Sequence, residues 1–169
     1  LLQCLPKQDK FSDICRKCTE IGIKEFTPLK STFTLNNPSQ NKEERWKEVV
    51  LNAACQSKQV SIPKVNTIQN LNDLIENYST DPTKIKLIGW EHETRTTLKT
   101  ALKKLLLNTT NKKSLDILLL IGAEGGFSKE EVNYCQERGF TSFSLGKTIL
   151  RAENAAYYTC ACIQYELNE

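Results

Sequence analysis

The chain has 169 residues, 39% of them hydrophobic, and 23 Lys and Arg against 20 Asp and Glu give a formal charge of +3. This length and composition predict one compact domain over residues 1–169 with a single core. The charge is too small to indicate a nucleic-acid partner by itself, and no apolar run approaches the roughly 18 residues of a membrane-spanning helix. We therefore expect a soluble, cytoplasmic protein with no membrane association.

The first half of the chain alternates apolar strands with amphipathic helices. In chain order we predict a strand over Leu1–Leu5, a helix over Phe11–Glu20, a strand over Glu25–Leu29, and helices over Glu44–Gln56 and Thr67–Tyr78. The polar segment Asn36–Asn41 is predicted to be a mobile loop.

The second half continues this alternation. It predicts a strand over Ile85–Trp90, a helix over Leu98–Leu107, a strand over Asp116–Ile121, a helix after Ser128, a short strand over Phe143–Leu145 and a final helix over Ala152–Leu167. Asn108–Lys113 is predicted to be a cationic loop. Alternating strands and helices imply parallel strands joined by crossover helices, so the predicted fold class is α/β with helices on both faces of the sheet.

The seven cysteines do not indicate a disulfide framework, because their number is odd and their spacing irregular. Cys15 and Cys18 have the spacing of half a metal or redox motif. Together with Phe11 and Ile14 they also fall on one helical stripe, so we predict core packing and no metal site. His92 is the only histidine and no nucleophile elbow accompanies it, which argues against a hydrolase.

The most informative motif is the stretch from Ile121 to Phe127, which reads IGAEGGF. It ends an apolar strand and leads into Ser128 and Glu131, whose spacing is that of a capping box at the start of a helix. A second stretch, Leu145 to Glu153, repeats the order strand, glycine and helix one unit later. Glycines beyond the carboxyl ends of parallel strands let the backbone approach a ligand closely, so we predict that these two adjacent loops form a pocket.

Both motifs also have simpler interpretations. The glycines of the first loop are compatible with an ordinary tight turn, and Arg151 with Glu153 is compatible with an exposed ion pair. The first loop lacks the lysine of a phosphate-binding P-loop and the glycine spacing of a dinucleotide site, and Glu124 would repel phosphate. A neutral or cationic ligand is therefore favoured. Because Arg151 directly follows the second loop, we favour a role in holding a phosphate or an anionic base.

The two motifs and several N-terminal segments resemble the RsmE family, which comprises 16S ribosomal RNA uracil-N3 methyltransferases of the SPOUT superfamily. The N-terminal matches are Leu5-Pro6-Lys7, Asp9-Lys10, Lys17 to Gly22, Pro28-Leu29, Arg45-Trp46, Ala53 to Ser57 and Ile62-Pro63. The resemblance spans nearly the whole chain. Its specific part is the pair of C-terminal motifs, in this order and at this separation.

This resemblance implies a homodimer with an α/β fold whose C-terminal segment threads through a loop to form a trefoil knot, an exception to the rule that chains avoid knots. It implies S-adenosylmethionine as the methyl donor and 16S rRNA of the small ribosomal subunit as the partner. The implied cofactor-binding residues are Ile121, Gly122, Ala123, Glu124, Gly125, Gly126, Leu145, Gly146, Ile149 and Leu150. The strand exit near Trp90 and Glu91 is expected to be a third wall.

Arg151 and Glu153 are the implied catalytic residues. Methyl transfer to uracil N3 requires the weakly acidic ring nitrogen to be deprotonated or nearly so. Arg151 is expected to stabilise the developing anion or an adjacent phosphate, while Glu153 orients Arg151 or caps the helix. Glu124 is expected to shape the pocket or accept a proton. The alternatives are a methyltransferase acting elsewhere on RNA, such as a ribose 2′-hydroxyl, and a non-catalytic knotted RNA-binding module.

Three positions depart from the family pattern: Ala123 stands for the usual Pro, Thr148 for Arg and Asn154 for Thr. The lost cation at Thr148 is expected to lower efficiency. The family also carries an N-terminal RNA-binding barrel of the PUA type, and this chain is expected to start just after it. We expect this chain to fold, dimerise and bind S-adenosylmethionine, but to methylate ribosomal RNA poorly by itself.

Overall fold

A parallel sheet forms the centre of the protein. The computed structural model describes residues 1–34, 40–79, 81, 83–107 and 115–167. Within these ranges the strands are β1 Leu2–Cys4, β2 Glu25–Lys30, β3 Lys64–Val65, β4 Gln69–Asn70, β5 Lys84–Gly89, β6 Asp116–Ile121 and β7 Thr141–Phe143. Their order in the sheet is β3-β2-β1-β6-β5-β7, with β4 also paired to β2, and all these pairings are parallel.

Helices connect the strands and cover both faces of the sheet. They are α1 Lys10–Ile21, α2 Gln40–Gln56, α3 Leu71–Tyr78, α4 Leu98–Leu107, α5 Lys129–Glu137 and α6 Ala152–Leu167. In β6, Leu118 and Leu120 point into a core completed by α3 and α5. Leu119 and Ile121 point into the opposite core, which α1, α2, α4 and α6 complete. Burial on both faces requires a continuously apolar strand, and it confirms the predicted α/β class.

Helix α1 lies between α2 and α6. Its Phe11 ring packs edge-on against Trp46 of α2, with 4.5 Å between ring centroids. On the other side, Tyr157 of α6 donates a hydrogen bond to Asp13. This packing sets the position of the first residue of α1, Lys10, relative to the start of α6.

The cysteines contribute to the core as predicted. Cys15 and Cys18 are buried with Phe11 and Ile14, and all seven cysteines are free thiols. Among the described residues, no group of His, Cys, Asp and Glu is arranged to hold a metal ion. In the same part of the chain, no helix combines the length and apolarity that crossing a membrane would require.

The predicted elements agree best where the apolar pattern is long. β6, α4 and α6 have the predicted bounds, and Ser128 with Glu131 forms the predicted capping box at the start of α5. The strands β3 and β4 were not predicted, because two-residue strands carry no periodic signal. The predicted helix over Thr67–Tyr78 begins only at α3, since the residues just before it pair with β2.

The short strand near the carboxyl end was predicted two residues late. β7 pairs with Leu87 to Gly89, so its last residue is Phe143 and the predicted residues Ser144 and Leu145 already belong to the following loop. The predicted loop Asn108–Lys113 lies outside the described residues. So does the predicted loop Asn36–Asn41, except for its last two residues, which begin α2.

Candidate functional site

A pocket of about 290 Å³ opens at the carboxyl ends of β5, β6 and β7. Three segments line it: residues 89–91 after β5, residues of 121–126 after β6, and residues of 144–155 after β7. Both predicted loops line this one pocket, as expected, but their strands are not adjacent, because β5 lies between β6 and β7 in the sheet. Trp90 and Glu91, which were expected to form a third wall of the pocket, therefore lie in its centre, between the two loops.

Most of the predicted site residues line this pocket. They are Ile121, Gly122, Ala123, Glu124, Gly126, Leu145, Gly146, Ile149, Leu150 and Arg151. Gly125 and Glu153 are not among the lining residues. Gly125 instead lies beneath Phe33, where an added Cβ would come within 2.8 Å of the Phe33 Cβ.

The first loop depends on close approach of its own backbone. A Cβ at Gly122 would lie 3.0 Å from the Gly126 backbone, and the Gly126 N–H donates to the Ala123 carbonyl at 3.0 Å. Gly126 has a φ of 64°, in the left-handed region. A Cβ added at Gly126 would lie only 2.5 Å from Oε2 of the Glu91 carboxylate. The left-handed backbone conformation favours a glycine here, and an added Cβ would force the Glu91 carboxylate to move.

Gln3 supports the first loop from below. It is fully buried in β1, and its Nε2 donates to the carbonyls of Gly122 at 3.0 Å, Ile121 at 3.4 Å and Cys4 at 2.9 Å. Sequence reasoning missed this residue. The available signal was a polar residue inside an otherwise apolar strand, which in a buried position must find hydrogen-bond partners.

Glu124 turns from the first loop toward the start of α1. Both of its carboxylate oxygens accept from the Lys7 N–H at 3.1 Å, and Oε1 also accepts from Lys10 Nζ at 3.1 Å. Burial by itself raises the pKa of Glu124, but these hydrogen bonds outweigh it and hold the pKa below its usual value. The carboxylate thus anchors the loop in its ionised form, and its role as a proton acceptor stays a prediction.

The second loop is anchored at its beginning and exposed in its middle. The Ser144 N–H donates to the Thr96 carbonyl at 2.8 Å, and the Leu98 N–H donates to the Ser144 carbonyl at 3.1 Å. The side chain of Ile149 is 81% exposed. Arg151 stands exposed at the pocket mouth, and no ion pair or side-chain hydrogen bond engages it within the described ranges.

Glu153 belongs to the first turn of α6 and faces α1. Its Oε2 lies 3.6 Å from Lys10 Nζ, and no ion pair joins it to Arg151 in the part of the chain that the structure describes. The expectation that Glu153 orients Arg151 is therefore not supported in the single chain. Lys10, which sequence reasoning did not assign to the site, is instead the partner of Glu153.

Comparison with known proteins identifies the family. The model of the RNA methyltransferase domain family matches residues 1–164. The chain belongs to this family. It is 36% identical over 151 residues to the ribosomal RNA small subunit methyltransferase E of Synechocystis sp., covering 89% of this chain but only 48% of that protein. The chain thus spans about half the length of this curated relative.

Solved structures share the fold. The crystal structure of a ribosomal RNA small subunit methyltransferase E from Neisseria gonorrhoeae, bound to S-adenosyl methionine, superposes with a TM-score of 0.81 at 25% identity, over 97% of this chain and 64% of that one. The SpoU methyltransferase AviRb from Streptomyces viridochromogenes shares the fold at 16% identity and a TM-score of 0.58, over 98% of this chain and 58% of that one. The predicted SPOUT-type sheet is confirmed, whereas the trefoil knot stays a prediction.

We predict that Gly126→Ala displaces Glu91 from the pocket wall. Gly126→Ala and Gly139→Ala both place a Cβ on a residue with left-handed φ, of 64° and 86°, so each should lose about 1 kcal/mol of unfolding free energy. Only at Gly126 does the new methyl group overlap the Glu91 carboxylate. Crystal structures and urea unfolding of both variants test this. An unmoved Glu91 in Gly126→Ala would contradict the expectation.

Proposed function

We propose that this chain is an S-adenosylmethionine-dependent methyltransferase that modifies N3 of a uridine in 16S ribosomal RNA of the small subunit. The observation that carries the proposal is the pocket at the ends of β5, β6 and β7, whose floor is a backbone cradle built by Gly122 and Gly126. The names of the Synechocystis and Neisseria relatives, and the methyl donor bound in the latter, support the same activity.

The residues of the pocket fit this donor. Its volume of about 290 Å³ is close to the lower end of the range of roughly 300–1,000 Å³ for small-molecule sites. The donor carries a positive sulfonium and a positive ammonium group, and the Glu91 carboxylate in the wall complements them. We propose that backbone groups of the first loop and of residues 145–150 hold the adenine, with the cofactor-binding residues predicted from the sequence except Gly125, which does not line the pocket.

When bound, S-adenosylmethionine supplies an electrophilic methyl group on sulfur. The chain must then hold a uracil ring whose N3 carries developing negative charge. We propose that Arg151 stabilises this charge or an adjacent phosphate, because its guanidinium is exposed at the mouth and has no ion pair within the described ranges. We propose that Glu153 acts on the site indirectly, because it pairs with Lys10, which in turn binds Glu124 of the first loop.

We also propose that residues 1–169 act as one domain in the cytoplasm and as a homodimer. One face of α6 supports the dimer, because Asn154, Tyr158, Ala161 and Tyr165 follow one another along it and are all exposed. Tyr158 is 51% and Tyr165 69% exposed. Exposed tyrosines one above the other on a helix face are typical of a protein interface, and this face begins next to Arg151, so a second copy would lie beside the pocket mouth.

Calorimetry and nucleoside analysis test the proposed activity. We expect S-adenosylmethionine to bind with one site per chain, and small ribosomal subunits that lack the modification to gain N3-methyluridine, measured by mass spectrometry of nucleosides. Binding without any methylated nucleoside would favour the non-catalytic alternative. A 2′-O-methylated nucleoside would reassign the target, and absence of binding by folded protein would overturn the proposal.

Arg151→Ala is expected to lower turnover on RNA about 100-fold, the loss typical when a group that stabilises transition-state charge is removed. The affinity for S-adenosylmethionine, measured by calorimetry, should change little. Arg16→Ala is the matched control, since Arg16 is 52% exposed on α1 and pairs with Asp13. Near-normal turnover of Arg151→Ala would remove Arg151 from the mechanism.

Replacing both Tyr158 and Tyr165 by Glu is expected to make the protein monomeric at micromolar concentration, because burying two carboxylates in an apolar interface is costly. Sedimentation equilibrium measures the mass. Leu51→Glu serves as the control, since Leu51 is 42% exposed on α2, away from α6. An unchanged dimer mass for the double variant would exclude this face of α6 as the interface.

A further inference from the structure

One ammonium group touches both loops of the pocket. Lys10 is the first residue of α1, and its side chain is 28% exposed. Its Nζ lies 3.1 Å from Glu124 Oε1 in the first loop and 3.6 Å from Glu153 Oε2, just after the second loop. Lys10 is not a lining residue of the pocket. Any influence it has on a bound ligand must therefore act through the two loops.

The two carboxylates depend on Lys10 to different degrees. Glu124 keeps two hydrogen bonds from the Lys7 N–H whether or not Lys10 is present. Glu153 is only 15% exposed, its Oε2 is buried, and within the described residues that oxygen accepts no hydrogen bond. Among those residues Lys10 is the cation that pairs with Glu153. Without Lys10, this largely buried carboxylate would lose its ion-pair partner and keep only the favourable field at the start of α6.

We propose that Lys10 is a positioning residue for the methyl donor, whose ammonium holds the two pocket loops together by neutralising Glu153 and binding Glu124. The inference rests on the proposed function, because it takes S-adenosylmethionine as the ligand. The packing of α1 between α2 and α6 places its first residue where the ammonium can reach both carboxylates. The hydrogen bond that the Lys10 ammonium donates to Glu124 raises the pKa of Lys10, so the group keeps its charge at neutral pH.

A purely structural role of Lys10 makes a different prediction. If Lys10 only anchored α1, its loss would lower stability, and removing the charge of Glu153 would bring no recovery. If it positions the loops by charge, the harm of losing Lys10 comes from the uncompensated Glu153 carboxylate. Neutralising Glu153 should then restore part of the ligand affinity, which makes the sign of the coupling between the two positions decisive.

A double-mutant cycle tests this with calorimetric titration of S-adenosylmethionine. Lys10→Met should weaken binding about tenfold, and Lys10→Arg, which keeps the charge, by less than about threefold. Glu153→Gln in the Lys10→Met background should recover most of the loss, with Glu153→Gln alone completing the cycle. Lys47→Met is the matched control, because Lys47 forms a similar pair with Glu44 at 2.7 Å on α2, away from the pocket. Circular dichroism verifies that each variant is folded.

Unchanged affinity in Lys10→Met would overturn the proposal, and so would a double variant that binds no better than Lys10→Met. If Lys10→Met fails to fold, the decision rests on Lys10→Arg, alone and combined with Glu153→Gln. A tenfold loss of affinity in Lys10→Arg, which keeps the charge, would count against a role of charge. Failure of the parent chain to bind S-adenosylmethionine is a separate result. It would overturn the proposed function itself, whereas normal parent binding with an unaffected Lys10→Met overturns only this inference.

Discussion

The structure depends on the burial of β6 on both faces and its parallel pairing on both edges. β1 lies on one side of it and β5 on the other, and β7 extends the sheet beyond β5 in the same direction. The carboxyl ends of β5, β6 and β7 therefore meet at one edge, and the chain must turn away sharply after each of them. Gly122 and Gly126 allow the turn after β6, and the closely spaced backbone of this turn forms the floor of the pocket.

Acidic and basic side chains lie at different places around this pocket. Glu124 is bound by Lys7 and Lys10, whereas the Glu91 carboxylate lies in the pocket wall beside Gly126. Arg151 is exposed at the mouth. A cationic donor inside and a polyanionic nucleic acid outside would each meet the opposite charge. The net charge of +3 gives no sign of this local arrangement, because it sums all acidic and basic groups regardless of where they lie.

The departures from the family pattern lie at very different depths. Ala123 is 8% exposed, packs in the core that contains Phe127 and also lines the pocket. Thr148 is an exposed residue of the pocket wall, next to Lys147. A missing cation at Thr148 thus concerns contacts at the mouth, where Lys147 and Arg151 remain.

The amino-acid sequence by itself determined the elements with long apolar patterns and the two loops of the site. β6, α4 and α6 were predictable because each repeats its burial pattern over several turns or pleats, and the first loop because glycines follow a buried strand. Only the tertiary structure decided that β5 stands between the two loops, and that Lys10 binds Glu124 across 114 positions of the chain. Such contacts arise from the packing of α1 against α6 and from the order of the strands in the sheet. The spacing of residues along the sequence carries no information on either.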